Sequence, residues 1–284
     1  GHDTKRLSVA SGLHLPRIGR FGEVMDLRLS LRGDMYHATN LAISGQDGTD
    51  SGISGRLYPE ASVNWRFPFS RTDGLITQTI EPLASATISP NGGNPNTIPN
   101  EDSLDLELDD TNLFSSSRFT GLDRVEGGPR FSYGLKWSAI GRSGGNSVLF
   151  VGQSYRVRDD DTFGENSGLE DNFSDIVSRI SISPGEHLDL SYRTRLNKED
   201  LSPSRNEISL VAGPPALRLR SDYVFFERQQ DLEFAGREEI SGSLESKLNR
   251  HWRSSFSGRY NFADSGALRN IALNLTYECE CFTF

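Results

Sequence analysis

Arginines at alternate positions are the residues of this chain best suited to chemistry. Arg193 and Arg195 flank one threonine, and Arg218 and Arg220 flank one leucine. In an extended strand, residues two apart project from the same face. Each pair would set two guanidiniums side by side, and the planar fork of a guanidinium matches phosphate. The same cations serve equally well as solvated charges beside acids such as Asp189 and Glu245. Cys279 and Cys281 also share a face, at a Cα separation of about 6.6–6.8 Å in an extended strand. That is the upper edge of disulfide geometry, so a bond between them would need a bend. The five histidines (His2, His14, His37, His187 and His251) are scattered without metal-ligand spacing. Gly141-Arg142-Ser143-Gly144-Gly145 lacks the strand-to-helix elbow of a serine hydrolase. Arg32-Gly33-Asp34 reads as a tight hairpin turn. No Ser/His/acid constellation and no cofactor motif is legible, so neither catalysis nor a cofactor is expected.

The elements that must position these residues are strands. Met25 to Arg32, Leu188 to Arg193 and Ile271 to Glu278 alternate apolar and polar residues with period two. The pattern predicts fourteen such stretches, at about 5–14, 23–32, 35–42, 56–69, 75–88, 130–140, 147–157, 174–183, 187–196, 205–212, 216–226, 238–248, 252–262 and 269–281. Apolar runs such as Val148 to Val151 stop at four residues, whereas a membrane-spanning helix needs roughly 20. The mean hydropathy of -0.50 would suit a water-soluble protein, but a barrel strand needs only ~10 residues, half of them polar. A net charge of -9 argues against a nucleic-acid partner. Pro59, Pro68 and Pro82 fall inside predicted strands and mark bulges, strand ends or a weakened ladder.

Connector lengths add a second signal. Tight links at Gly33-Asp34, Ser70 to Gly74, Gly141 to Asn146, Pro184-Gly185-Glu186, Gly213-Pro214-Pro215 and Asn249-Arg250-His251 alternate with longer ones at 43–55, 89–129, 158–173, 197–204, 227–237 and 263–268. Outer-membrane barrels sort their connectors this way, with short periplasmic turns and long extracellular loops. One face of the ribbons collects Leu57, Val63, Trp65, Phe131, Leu135, Leu217, Leu219 and Phe256. The alternate face carries Arg28, Lys136, Arg156, Arg179, Arg193, Arg195, Arg218, Arg220, Arg253 and Arg259. A charge on a lipid face costs roughly 2–4 kcal/mol at the midplane, so the cations are expected to face a lumen. The expected fold is an all-β, antiparallel transmembrane β-barrel portion of about fourteen strands. The link at 89–129 is too long for a structureless loop and must have internal order or fold into the lumen. A general porin or receptor barrel and a soluble β-sandwich adhesin remain the alternatives.

A specific resemblance is carried by an ordered motif series. Ile98-Pro99-Asn100-Glu101-Asp102-Ser103 is followed by Asn112-Leu113-Phe114, Arg118-Phe119-Thr120-Gly121-Leu122-Asp123-Arg124, Glu126, Arg130, Tyr133-Gly134 and Val151-Gly152-Gln153-Ser154-Tyr155-Arg156. This resembles the C-terminal barrel region of the LPS-assembly outer-membrane family LptD (organic solvent tolerance protein), with residues 1–284 covering the later part of the barrel. The resemblance implies lipopolysaccharide transport and assembly at the outer membrane of a Gram-negative bacterium. It implies an LptE-like plug lipoprotein and a periplasmic LPS-bridge protein, the latter engaged through an N-terminal domain that precedes this piece of a longer precursor. The barrel-assembly machinery would read the aromatic terminus at Phe282 and Phe284. Release would occur sideways past the last strand, whose Ile271, Leu273, Leu275 and Tyr277 form one lip of a gate. Asn100, Asp102, Arg118, Asp123 and Arg124 would form the polar network of a loop packed in the lumen or against the plug. Arg193, Arg195, Arg218 and Arg220 would be luminal cations. Cys279 and Cys281 would pair with cysteines elsewhere in the family's chain, although the best-known pattern is an adjacent pair in an upstream turn.

Overall fold

A computed structural model describes residues 3–42, 49–103, 107–142, 144–158, 162–164, 166–227, 236–262 and 266–279. Its elements are strands throughout: β1 (Asp3–Ile18), β2 (Val24–Ala42), β3 (Thr49–Arg66), β4 (Phe69–Asp73), β5 (Ile76–Ile88), β6 (Arg130–Gly141), β7 (Asn146–Arg156), β8 (Ile176–Gly185), β9 (Leu188–Leu196), β10 (Pro203–Ala212), β11 (Leu217–Phe226), β12 (Arg237–Lys247), β13 (Trp252–Asn261) and β14 (Ala267–Tyr277). They form one sheet in sequence order, with β4 set off the path and paired to β5 alone. In this order β1 and β14 each have a single neighbour, so the sheet is not closed on itself. The all-β antiparallel expectation is met, and the arrangement is consistent with a portion of a barrel.

Two strand expectations are corrected. The stretches at 23–32 and 35–42 are one continuous strand, and Gly33-Asp34 lies inside it rather than in a turn. Gly33 faces Val9 on one side and Leu57 on the other in unbroken register. The Asp34 carboxylate is held there by guanidiniums, as described below, which is why a turn-like sequence stays extended. The first tight turn lies instead at residues 19–23, where the Gly19 N–H donates to the Glu23 carbonyl at 2.8 Å and Gly22 takes φ +93°. The predicted strand at 56–69 begins earlier and ends at Arg66. Pro68 separates β3 from β4, and beside that break the Phe67 N–H reaches the Pro82 carbonyl. Pro59 stays in β3 opposite Leu31, on a stretch that β5 does not pair. The strand count is unchanged because one merger balances one split.

The chain divides into two compact units. The first comprises Gly1–Pro68, Glu81–Gly134 and Gly152–Asp175. Its ladder aligns Leu7 with Met35, Leu13 with Leu29 and Leu15 with Leu27, then Leu27 with Val63 and Met25 with Trp65. All of these rows fall on one face. The other face carries Arg6, Ser8 and His14 opposite Tyr36, Asp34 and Arg28, which continue into Ser54, Arg56 and Ser62. The buried apolar residues of this unit include Ile98, Leu108, Leu113 and Val125 in the link at 89–129, Tyr36, Ala38 and Tyr58 in β2 and β3, and Phe163 and Leu169 beyond β7.

The second unit comprises Phe69–Ile80, Leu135–Val151 and Ile176–Phe284. One row across it runs Leu188, Ala212, Leu219, Leu244, Phe256 and Leu273. The alternate row runs Asp189, Val211, Arg220, Ser243, Ser257 and Ala272. The apolar rows are not shared with a second sheet: Leu7 is 61% exposed and Leu273 75%. A sandwich would have turned these side chains inward into a dry layer. An apolar face of this extent left outward needs a nonaqueous neighbour.

An arginine at Leu273 should therefore cost roughly 2–4 kcal/mol in a bilayer, while one at Asn274 should cost little. Heat-modifiable migration of membrane-extracted protein would check this. L273R should lose the folded form and N274R should keep it.

Candidate functional site

The link at 89–129 is ordered by turn chemistry. Asn100 bridges its own turn, accepting from the Ser103 N–H at 3.1 Å and donating to the Ser103 carbonyl at 3.2 Å. Asp102 and Asp123 then lock two passes of the chain reciprocally. Asp102 Oδ1 accepts from the N–H groups of Leu122 and Asp123 at 3.0 and 2.9 Å. Asp123 Oδ2 accepts from the N–H groups of Glu101 and Asp102 at 2.8 and 3.2 Å. The passes come so close that a Cβ on Gly121 would lie 2.2 Å from Asp102 Oδ1, so only glycine fits. Arg124 donates to the carbonyls of Ile98 and Pro99. From β1, Arg6 reaches both acids, at 2.5 Å to Asp102 and 2.7 Å to Asp123. Burial alone would raise the Asp102 pKa. The Arg6 guanidinium and the two N–H donors more than offset it and hold the carboxyl well below the usual range.

A second cluster centres on Glu126, whose side chain is fully buried. Its carboxylate lies 2.7 Å from Arg118, 3.0 Å from Arg156 and 3.6 Å from Arg130. The Arg118 backbone N–H adds a hydrogen bond at 3.2 Å. Arg130 also reaches Glu60 at 3.3 Å, and Arg118 donates to Ser154 Oγ at 2.7 Å. Arg156 lies over the Phe163 ring, 4.2 Å from its centroid, and Phe163 stacks on Phe119. Three cations thus share two carboxylates out of water. Burial opposes the ionised form of Glu126, but Arg118, Arg130 and Arg156 outweigh it and its pKa stays lowered. Burial pulls Arg118 down to about 10, with Glu126 opposing, so it remains cationic at neutral pH.

Arg56 joins the link to the sheet. Its Nε and Nη2 donate to Asp34 Oδ2 at 3.0 and 2.6 Å, Nη1 reaches the carbonyls of Gly93 and Asp123, and Nη2 also reaches that of Leu122. Tyr58 donates to the Glu126 carbonyl at 2.6 Å. Asn94 and Val125 exchange two hydrogen bonds, at 2.7 and 2.8 Å. The link therefore lies on the polar face of β1, β2 and β3. Of the five residues expected to form its network, Asn100, Asp102, Asp123 and Arg124 do come together, and Arg118 belongs to the Glu126 cluster instead. Sequence reasoning did not single out Arg6, Asp34, Arg56, Glu60, Glu126 or Arg130 as site residues. Polar-face strand positions were the available signal for Arg6, Asp34, Arg56 and Glu60, while Glu126 and Arg130 stood in the motif series without a role.

The remaining expected residues are not gathered into one site. Arg193 and Arg195 lie on β9, where Arg193 faces Arg179 and Glu207 and Arg195 faces Arg205. Arg218 and Arg220 lie on β11, both beside Glu245, with Arg220 at 3.8 Å. All four occupy the polar face. On β14, Ile271, Leu273 and Leu275 are exposed, and Tyr277 packs against Trp252 with centroids 5.0 Å apart. Among the described residues Cys279 has no disulfide partner, while Cys281, Phe282 and Phe284 lie outside the described residues. Among the described residues, no group of three or more His, Cys, Asp or Glu side chains is placed to hold a metal ion.

The profile of the LptD family, LPS transport system D, matches residues 1–252. The chain belongs to the LptD family. It is 23% identical over 239 residues to the LPS-assembly protein LptD of Chromobacterium violaceum, a match covering 79% of this chain and 29% of that protein. The chain therefore spans under a third of that relative's length. The profile match takes in both charged clusters of this LptD-family chain and ends at Trp252, the first residue of β13.

Two predictions follow from the clusters. Glu126→Gln keeps the shape but removes the charge among three buried guanidiniums, which should destabilise the link by about 3–5 kcal/mol. Trypsin should then cut at Arg118 and Arg124 far faster than in the parent protein. The second prediction concerns pH. Folded-state pKa values of Asp102 and Glu126 lie below their unfolded values of about 4. Their stabilisation is thus complete above that range and is lost as pH falls through it towards the folded values. Pepsin cleavage of the link should rise steeply below about pH 4, and Asp102→Asn should show part of that loss already at neutral pH.

Proposed function

We propose that this chain is the C-terminal portion of an outer-membrane β-barrel that delivers lipopolysaccharide to the outer leaflet, with β14 as one lip of a lateral gate. The observation that carries the reading is the family match across residues 1–252. The two-faced ladder supplies the physical reason. Moving an acyl chain through water costs about 0.8 kcal/mol per CH₂, so one twelve-carbon chain would cost roughly 10 kcal/mol. The saccharide has the opposite preference. Lipid and sugar must therefore travel on opposite sides of one wall, and the wall needs a seam through which the bond between them can pass. A strand whose edge is weakly paired supplies one, and on this reading β14 is that strand.

On this reading the polar face of β8 to β14 lines an aqueous path, and Arg193, Arg195, Arg218 and Arg220 give it a cationic character suited to phosphorylated sugar. The link at 89–129, held on the polar face of β1 to β3, offers its outer surface to a plug lipoprotein of the LptE type. A periplasmic bridge would feed the preceding part of the protein, and the barrel-assembly machinery would insert it. Cys279 and Cys281 would pair with cysteines of that preceding part.

Photo-crosslinkers at Ala272 and Asn274, on the polar face of β14, test the reading in the full-length protein. LPS adducts should form at both positions during active transport and vanish when the ATP-driven supply is stopped. Adducts that are absent, or that persist unchanged without supply, would refute it.

A further inference from the structure

We propose that the last hairpin, β13–β14, bends against β12 at a pair of facing glycines, Gly242 of β12 and Gly258 of β13, so that its long-connector end moves while its short-turn end stays fixed. The inference rests on the gate reading for its biological meaning and on the ladder alone for its mechanics.

Gly242 on β12 sits directly opposite Gly258 on β13. Their row continues to Ser221 on one side and to Ile271 on the other. The rows flanking it on the same face are bulky: Tyr223, Ile240, Tyr260 and Leu268 beyond it, and Leu219, Leu244, Phe256 and Leu273 before it. Nothing in the static fold demands glycine here. A Cβ on Gly242 would meet only the Arg220 carbonyl oxygen, and one on Gly258 only that of Asn270, each at an ordinary 3.7 Å. Neither residue has positive φ. The contrast is Gly213, at φ +101°, where a Cβ would strike the Leu217 carbonyl at 2.2 Å. Glycine inside a strand weakens it by leaving the backbone freer to move. Two facing each other weaken one line across the ladder.

Two further observations place flexibility on that line. The β13–β14 register shifts between Arg259 and Tyr260, which face Asn270 and Leu268, so Arg269 is bulged out. On the polar face the same line borders a cavity of about 230 Å³ lined by Ser241, Ser243, Ser257 and Arg259, so no bulky apolar side chain there resists bending. A hairpin bulged in β14 and backed by facing glycines on β12 and β13 can swing one end without breaking the ladder behind it.

The test uses nitroxide pairs in the full-length protein in bilayers, read by pulsed dipolar spectroscopy. One pair, at Tyr223 and Leu268, spans the region beyond the glycines, and the other, at Leu219 and Leu273, spans the region before them. The first pair should give a broad or two-population distance distribution and the second a single narrow one. Gly242→Val and Gly258→Val should collapse the first distribution to one narrow population, with loss of LPS delivery. Equally narrow distributions in the parent protein, or a spread that survives both valine substitutions, would overturn the hinge. If the valine variants fail to assemble, the parent comparison and the milder Gly258→Ala decide it. Collapse of the distribution with undiminished LPS delivery would uphold the hinge and refute the gate reading.

Discussion

The arrangement depends on a single constraint: the side-chain alternation of each strand must stay in phase with that of its neighbour. One residue of slip would carry every leucine of a strand to the charged face and every arginine to the apolar one. The ladders described here keep that phase. Leu13, Leu29 and Ala61 share a row, as do Leu219, Leu244, Phe256 and Leu273. The register shifts at Ala38/Leu41, Pro203/Arg205 and Arg259/Tyr260 lie near strand ends towards the longer connectors, and the one at Ile182/Gly185 lies at a short turn. The turns that fix the register are short and rely on residues such as Gly22 and Gly213, both at positive φ.

A sheet with an outward apolar face has no ordinary hydrophobic core, and the polar face must be organised by other means. In the first unit this is done with charge. Glu126 and its three guanidiniums, Arg56 with Asp34, and Arg6 with the two loop acids hold the link against the strands. Buried ion clusters of this kind contribute little net stability over a well-packed apolar core, but they tolerate no missing partner. That asymmetry suits a loop that must hold one conformation beside water. Ile98, Leu108, Leu113 and Val125 of the same link are buried as well.

Period-two alternation and loop sorting made the fold legible from the residues, because both are local properties of a strand and its connector. The loop network was partly legible too: Asn100, Asp102, Asp123 and Arg124 are turn-forming or charged residues in one motif series. Arg56 and Asp34 were not, since their pairing depends on the register of β2 with β3, which no local pattern states. Gly33-Asp34 misled for the same reason. A glycine followed by an aspartate favours a turn locally, but here the aspartate is bound by Arg32 and Arg56 within an extended strand. The arginines of β9 and β11 were correctly placed on the polar face, yet their neighbours are set by cross-strand partners and not by their own spacing.

The central claim is that hydrocarbon meets one face of these strands and water the other. It is tested most directly by scanning nitroxide labels from Arg269 to Tyr277 in bilayers and comparing collisions with oxygen and with a water-soluble nickel chelate. The account predicts oxygen-dominated relaxation at Ile271, Leu273 and Leu275, and nickel-dominated relaxation at Ala272 and Asn274. Equal nickel access along the whole strand, or alternation in the opposite phase, would contradict it.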